Sequence, residues 1–116
     1  MPHSRDKMKN LQELIEVVKM LRSENGCQWD REQTHQTLRP NMLEEAYEAV
    51  DAIDSGDIKH LKEELGDVLL QVILHSQIAD EAGNFSVDDV AKEIKEKLIR
   101  RHPHVFGEVK VKNICG

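Results

Sequence analysis

Leu43-Glu44-Glu45-Ala46-Tyr47-Glu48 and Glu63-Glu64-Leu65-Gly66-Asp67 are two acidic clusters on either side of a turn-forming run, Asp54-Ser55-Gly56-Asp57. Both flanks have helical periodicity, so the chain is expected to fold back on itself and set the clusters face to face. Residues three or four apart share one face of a helix. Glu45 with Glu48, and Glu64 with Asp67, then form two carboxylate pairs lining one oxygen-rich pocket. Four like charges at close quarters are costly unless a hard cation sits among them. Magnesium, bound through carboxylates, waters and substrate phosphates, suits such a pocket.

Working outward, the helix before the turn starts near Pro40, a residue suited to a first helical turn, and runs to about Asp54. Leu43, Ala46, Tyr47, Val50 and Ile53 cover one face, with Glu45, Glu48, Ala49 and Ala52 nearly opposite. Acid plus small residues, rather than mixed Lys and Glu, points to a close helix contact around a site. The helix after the turn should span about Asp57 to Ala82-Gly83. Leu61, Leu65, Val68, Leu69, Val72 and Ile73 lie on one side, and Leu70, Leu74 and Ile78 on another. Glu64, Asp67, Gln71 and His75 form a stripe between them. A helix apolar on two sides is central to its domain or shared with a partner subunit. Gly66 sits inside it despite a cost of about 1 kcal/mol against alanine, which close backbone approach beside Asp67 would explain.

Upstream, Met8, Leu11, Leu14, Ile15, Val18 and Leu21 recur at helical steps over Asp6–Ser23, ending near Asn25-Gly26. Cys27–Arg39 has no clean period and reads as a loop or a single turn, long enough to suggest function. Its Trp29 would stack on a base or plug one end of the bundle. Downstream, Ser86-Val87-Asp88-Asp89 resembles a capping box with aspartate in place of glutamate. It opens a helix to about Arg101 that Pro103 stops. Val105-Phe106-Gly107 should pack back on the bundle. The expected fold is all-α, a four-helix bundle-like domain over residues 1–107 with a tail at 108–116.

A chain of 116 residues is one domain, and with aromatics at 3% its core must be aliphatic. The net charge of −6 argues against a nucleic-acid polymer or an anionic membrane as partner. Cys27 and Cys115 fit no metal or redox spacing, so reduced thiols in a cytoplasmic protein are expected. Met1–Asn10 is too polar for a secretory leader, and Val68–Ala79 is too short and too interrupted to span a bilayer. Lys97, Arg100, Arg101, His102 and His104 concentrate positive charge at the end of the last helix. That patch either compensates the helix dipole or clamps phosphate. His35 and His75 should be hydrogen-bonded rather than metal ligands.

Four segments together resemble the MazG family of all-α nucleoside triphosphate pyrophosphohydrolases: Gly26-Cys27-Gln28-Trp29-Asp30-Arg31-Glu32-Gln33-Thr34-His35, Leu43–Glu48, Glu63–Val72 and Lys97–Phe106. The resemblance implies magnesium-dependent cleavage (manganese as a substitute) of a nucleoside triphosphate to monophosphate and pyrophosphate. By motif position, Glu45, Glu48, Glu64 and Asp67 would be the metal ligands, and Glu44 or Glu48 the group that orients or deprotonates water. Lys97, Arg100 and Arg101 would face the phosphates, and Trp29 the nucleotide. A homodimer or larger homo-oligomer is implied too. Gln28 departs from the proline common at that position, and one such domain is present here where some members carry two. The alternatives are a pyrophosphohydrolase with one narrow substrate, such as a single deoxynucleotide or phosphoribosyl-ATP, and a non-catalytic helical regulator that binds nucleotide.

Overall fold

The computed structural model describes residues 8–107. Over those residues the chain is helical, with no strand. The helices are α1 (Lys9–Leu21), α2 (Gln28–Glu32), α3 (Arg39–Ser55), α4 (Ile58–Glu81) and α5 (Val87–Arg101). The expected start at Asp6, the tail at 108–116 and Cys115 lie outside the described residues.

Local chemistry sets most boundaries. Pro40 stands in the first turn of α3, and Gly56, at φ 74, closes that helix in the left-handed conformation. Asp57 caps α4 by accepting from the His60 N–H at 3.1 Å. The capping box of α5 is present. Ser86 Oγ accepts from the Asp89 N–H at 3.2 Å, while the Asp89 carboxylate accepts from the Ser86 N–H at 2.9 Å. Gly26 is required by space. A Cβ there would lie 2.2 Å from the Met20 carbonyl oxygen and 2.3 Å from that of Leu21. Gly66 corrects the expectation: nothing lies within 4 Å of a Cβ built on it, so no close backbone approach explains it.

All four long helices are there, but they pack on α4 rather than closing around one another. α3 makes the most extensive contact with α4, and α1 and α5 make smaller ones. Val18, Leu38, Ile73 and Leu74 form the buried core, with Leu11, Leu14, Ile15, Leu70, Ile78 and Val87 packed around it. That core belongs to the C-terminal half of α4. In the N-terminal half the buried residue is Glu64.

Arg22, at the end of α1, ties three segments together. Its Nε and Nη2 donate to the two carboxylate oxygens of Glu81 at 3.0 Å each. Its Nη1 donates to the carbonyls of Asp30 at 2.6 Å and Gln33 at 3.0 Å. The segment after α1 is thus a single helical turn, α2, held from below by one guanidinium. Trp29, on that turn, is 57% exposed, so it does not plug the bundle.

The apolar faces are the other departure. Leu43, Tyr47, Val50 and Ile53 of α3 are 52–67% exposed, and Leu65, Leu69 and Val72 of α4 are also uncovered. Val105 and Phe106 are exposed rather than packed back, on a helical stretch at 103–107 that begins at Pro103 after a break at His102. The radius of gyration, 17.0 Å, exceeds the roughly 13 Å of a compact globule of about this size.

Candidate metal centre

The inner face of α3 and the stripe on α4 meet in the N-terminal half of α4. Ala49 and Ala52 are buried there, and small residues let two helices approach closely enough for their carboxylates to converge. Glu45, Glu48 and Glu64 each place one carboxylate oxygen within 4.8 Å of the others. Asp67, one turn beyond Glu64, is exposed and stands outside that set, yet its charge is felt at both Glu45 and Glu48. Glu44 is exposed at the edge and adds its charge to the same two groups.

The electrostatics record crowding. Desolvation first, then the charges of Asp67, Glu48, Glu64 and Glu44, push the Glu45 carboxyl above its ordinary range. Glu48 is raised chiefly by the charge of Glu64, with desolvation and Glu44 next. Like charges at short range disfavour the ionised form. Glu64 is only 8% exposed. Its Oε2 lies 3.2 Å from His60 Nε2, while its Oε1, like Glu45 Oε1, is buried without a hydrogen-bond partner. Unpaired buried oxygens on Glu45 and Glu64, two members of a cluster whose carboxylates come within 4.8 Å of one another, suit a hard cation. His60 was missed in the sequence, although its i,i+4 spacing to Glu64 across one helical turn is a usable signal.

Farther along the stripe, Gln71 is buried and His75 partly so. His75 Nδ1 lies 2.7 Å from His35 Nδ1, with the rings parallel and their centroids 5.0 Å apart. Burial first, and His35 second, lower the His75 imidazole below its usual range. The two histidines pair with each other, as the expectation of hydrogen-bonded side chains has it. The pair fastens the segment after α2 to α4.

Arg100 and Arg101 are exposed at the end of α5, and Lys97 lines an open depression of about 350 Å³ with Phe85, Val90 and Ile94. None of the ion pairs among the described residues engages these three cations.

The sequence matches the model of the MazG nucleotide pyrophosphohydrolase domain over residues 33–106. It is 56% identical over 97 residues to the nucleoside triphosphate pyrophosphohydrolase/pyrophosphatase MazG of Thermotoga maritima, covering 84% of this chain and 38% of that protein. It is 46% identical over 107 residues to the nucleoside triphosphate pyrophosphohydrolase of Escherichia coli, covering 91% of this chain and 41% of that one. Likeness to the uncharacterized protein YabN of Bacillus subtilis reaches 57% over 97 residues, 84% of this chain and 20% of that protein. The chain thus spans between a fifth and about two fifths of the length of these relatives. No described helix is long and apolar enough to cross a membrane.

Proposed function

The chain belongs to the MazG nucleotide pyrophosphohydrolase family, and on that premise we propose that it hydrolyses nucleoside triphosphates to the monophosphate and pyrophosphate. The observation that carries this reading is the convergence of Glu45, Glu48 and Glu64 oxygens within 4.8 Å, with buried oxygens of Glu45 and Glu64 unpaired. Glu45, Glu48, Glu64 and Asp67 would hold magnesium, with manganese as a substitute. When bound, the ion would offset the phosphate charge and favour the developing negative charge on the departing pyrophosphate.

The protein's own groups do the rest. Glu48 takes a water proton on a carboxylate oxygen. Glu44, at the edge, orients the same water. The water oxygen joins the attacked phosphorus, and pyrophosphate leaves with the electrons of the broken anhydride bond, so no covalent intermediate forms. Lys97, Arg100 and Arg101 bind the phosphate oxygens. The uncovered ring of Trp29 offers a flat face for the base. The exposed apolar strip on α3 and α4 supports assembly into a homo-oligomer, because a patch of this kind marks an interaction surface.

The test is product identification by phosphorus NMR or ion chromatography across the common NTPs and dNTPs, with magnesium and with EDTA. Pyrophosphate plus monophosphate, lost with EDTA, is expected. Orthophosphate plus diphosphate, or turnover indifferent to EDTA, would refute the reading.

A further inference from the structure

Four buried side-chain atoms lack a hydrogen-bond partner among the described residues: Glu45 Oε1, Glu64 Oε1, Gln71 Oε1 and His75 Nε2. All four lie on the inner faces of α3 and α4. A cation accounts for the first two. Gln71 Oε1 belongs to a residue one turn beyond Asp67, about 6 Å farther along the helix axis. Gln71 is only 5% exposed, so solvent does not satisfy its oxygen at the surface. A native fold keeps such an orphan where something else completes it.

The direction of the stripe says what that something is. Glu64 and Asp67 lie at the acidic end. One turn past Gln71, His75 touches His35 at 2.7 Å, on the segment that leads back to Trp29. Gln71 therefore stands between the carboxylates and the loop that carries the exposed indole. A nucleotide whose phosphates lie at the acidic end would direct its nucleoside portion along this line.

We propose that Gln71 is a specificity-determining residue, its buried amide oxygen accepting a hydrogen bond from an N–H or O–H donor on the nucleoside. This rests on the reading that the pocket binds nucleoside triphosphates. Two sources supply such a donor: an exocyclic amine of the base, or the 2′-hydroxyl of the sugar. A site with a buried acceptor discriminates strongly against an analogue lacking the donor, since the acceptor then stays unpaired.

The test compares wild type and Gln71→Leu by kcat/KM on ATP, ITP and dATP, with thermal melts of both proteins. Leucine has similar bulk and no unpaired oxygen, so the variant is expected to melt at the same temperature or higher. It should nevertheless lose about tenfold or more on the donor-bearing substrate while the analogue lacking the donor is unaffected. Collapse of the ATP/ITP ratio assigns the base amine; collapse of the ATP/dATP ratio assigns the 2′-hydroxyl. Equal losses on all three, or unchanged ratios, would overturn the proposal and leave the oxygen to a structural water. Absence of hydrolysis in the wild type is a failure of the parent reading. In that case Kd values for AMP, IMP and dAMP, measured by calorimetry, decide instead: a wild-type preference abolished in Gln71→Leu supports the assignment, and identical Kd profiles overturn it.

Discussion

Arg22→Ala is the sharpest test of how the loop that bears Trp29 is held. The guanidinium makes four hydrogen bonds, two to Glu81 and one each to the Asp30 and Gln33 carbonyls. Its side chain is 6% exposed, whereas that of Glu81 is 40% exposed. Hydrogen bonds to charged groups contribute about 1.5–3 kcal/mol when both ends are dry. Water reaches Glu81, so that pair is discounted to about 1 kcal/mol. The two carbonyls, which lose their donor in a partly closed space, add about 1 kcal/mol each, and lost packing of the arginine stem adds about as much again. The expected cost is therefore about 3–4 kcal/mol, a large share of the 5–15 kcal/mol of a typical domain. At fixed protomer concentration, Tm should fall by about 15 °C, with a shift of Trp29 fluorescence well below the main transition. Glu81→Gln, which keeps the shape and removes only the charge, should cost about 1 kcal/mol or less. The Arg22 hydrogen bond holds the Glu81 carboxyl below its ordinary range. Its contribution is therefore full above the unfolded value and lost as pH falls through the lowered folded one. A loss under 1 kcal/mol for Arg22→Ala, or equal losses for the two variants, would refute this account.

Glu48→Gln and Asp67→Asn are each expected to abolish turnover while circular dichroism stays that of wild type; wild-type rates in either would remove that residue from the site. Glu45 and Glu48 are raised, so their ionisation opposes folding, and stability in EDTA should decline as pH rises from the ordinary carboxylate range through their folded values. Magnesium should flatten that decline, and thermal melts with and without the ion across pH 5–8 would show whether it does. Replacing Leu43 and Tyr47 together by aspartate should reduce the mass measured by light scattering to that of a protomer, and an unchanged mass would mean that this strip is not the interface. Gly26→Ala should cost more than about 2 kcal/mol because backbone oxygens occupy the space of the new methyl. Gly66→Ala, which meets nothing, should stabilise by about 1 kcal/mol in denaturant titration.

The elements legible in the sequence are those specified by neighbouring residues. Asp57 and Ser86 with Asp89 announce their helices because a cap and its partner are three residues apart. The pairing of Glu45 and Glu48 with Glu64 follows from helical periodicity and a short turn. What escaped is non-local. Nothing near Arg22 points to Glu81, nor anything near His35 to His75, and each pair joins segments distant in the chain. The apolar face of α3 shows the subtler limit. Periodicity reports that Leu43, Tyr47, Val50 and Ile53 share a face, but not whether the chain itself covers it, and among the described residues it stays exposed. Trp29 was ambiguous for the same reason, since an aromatic ring fills a gap or receives a ligand with identical local sequence.

The link between α3 and α4 is two residues, Gly56 and Asp57. The core draws Val18 and Leu38 to Ile73 and Leu74, and so requires long stretches of chain to be brought together. The carboxylate pocket needs only one tight hairpin to close. Contacts local in sequence incur little loop-closure entropy and form early in folding. The pocket is thus closed by contacts local in sequence, whereas the hydrophobic centre joins segments distant in the chain.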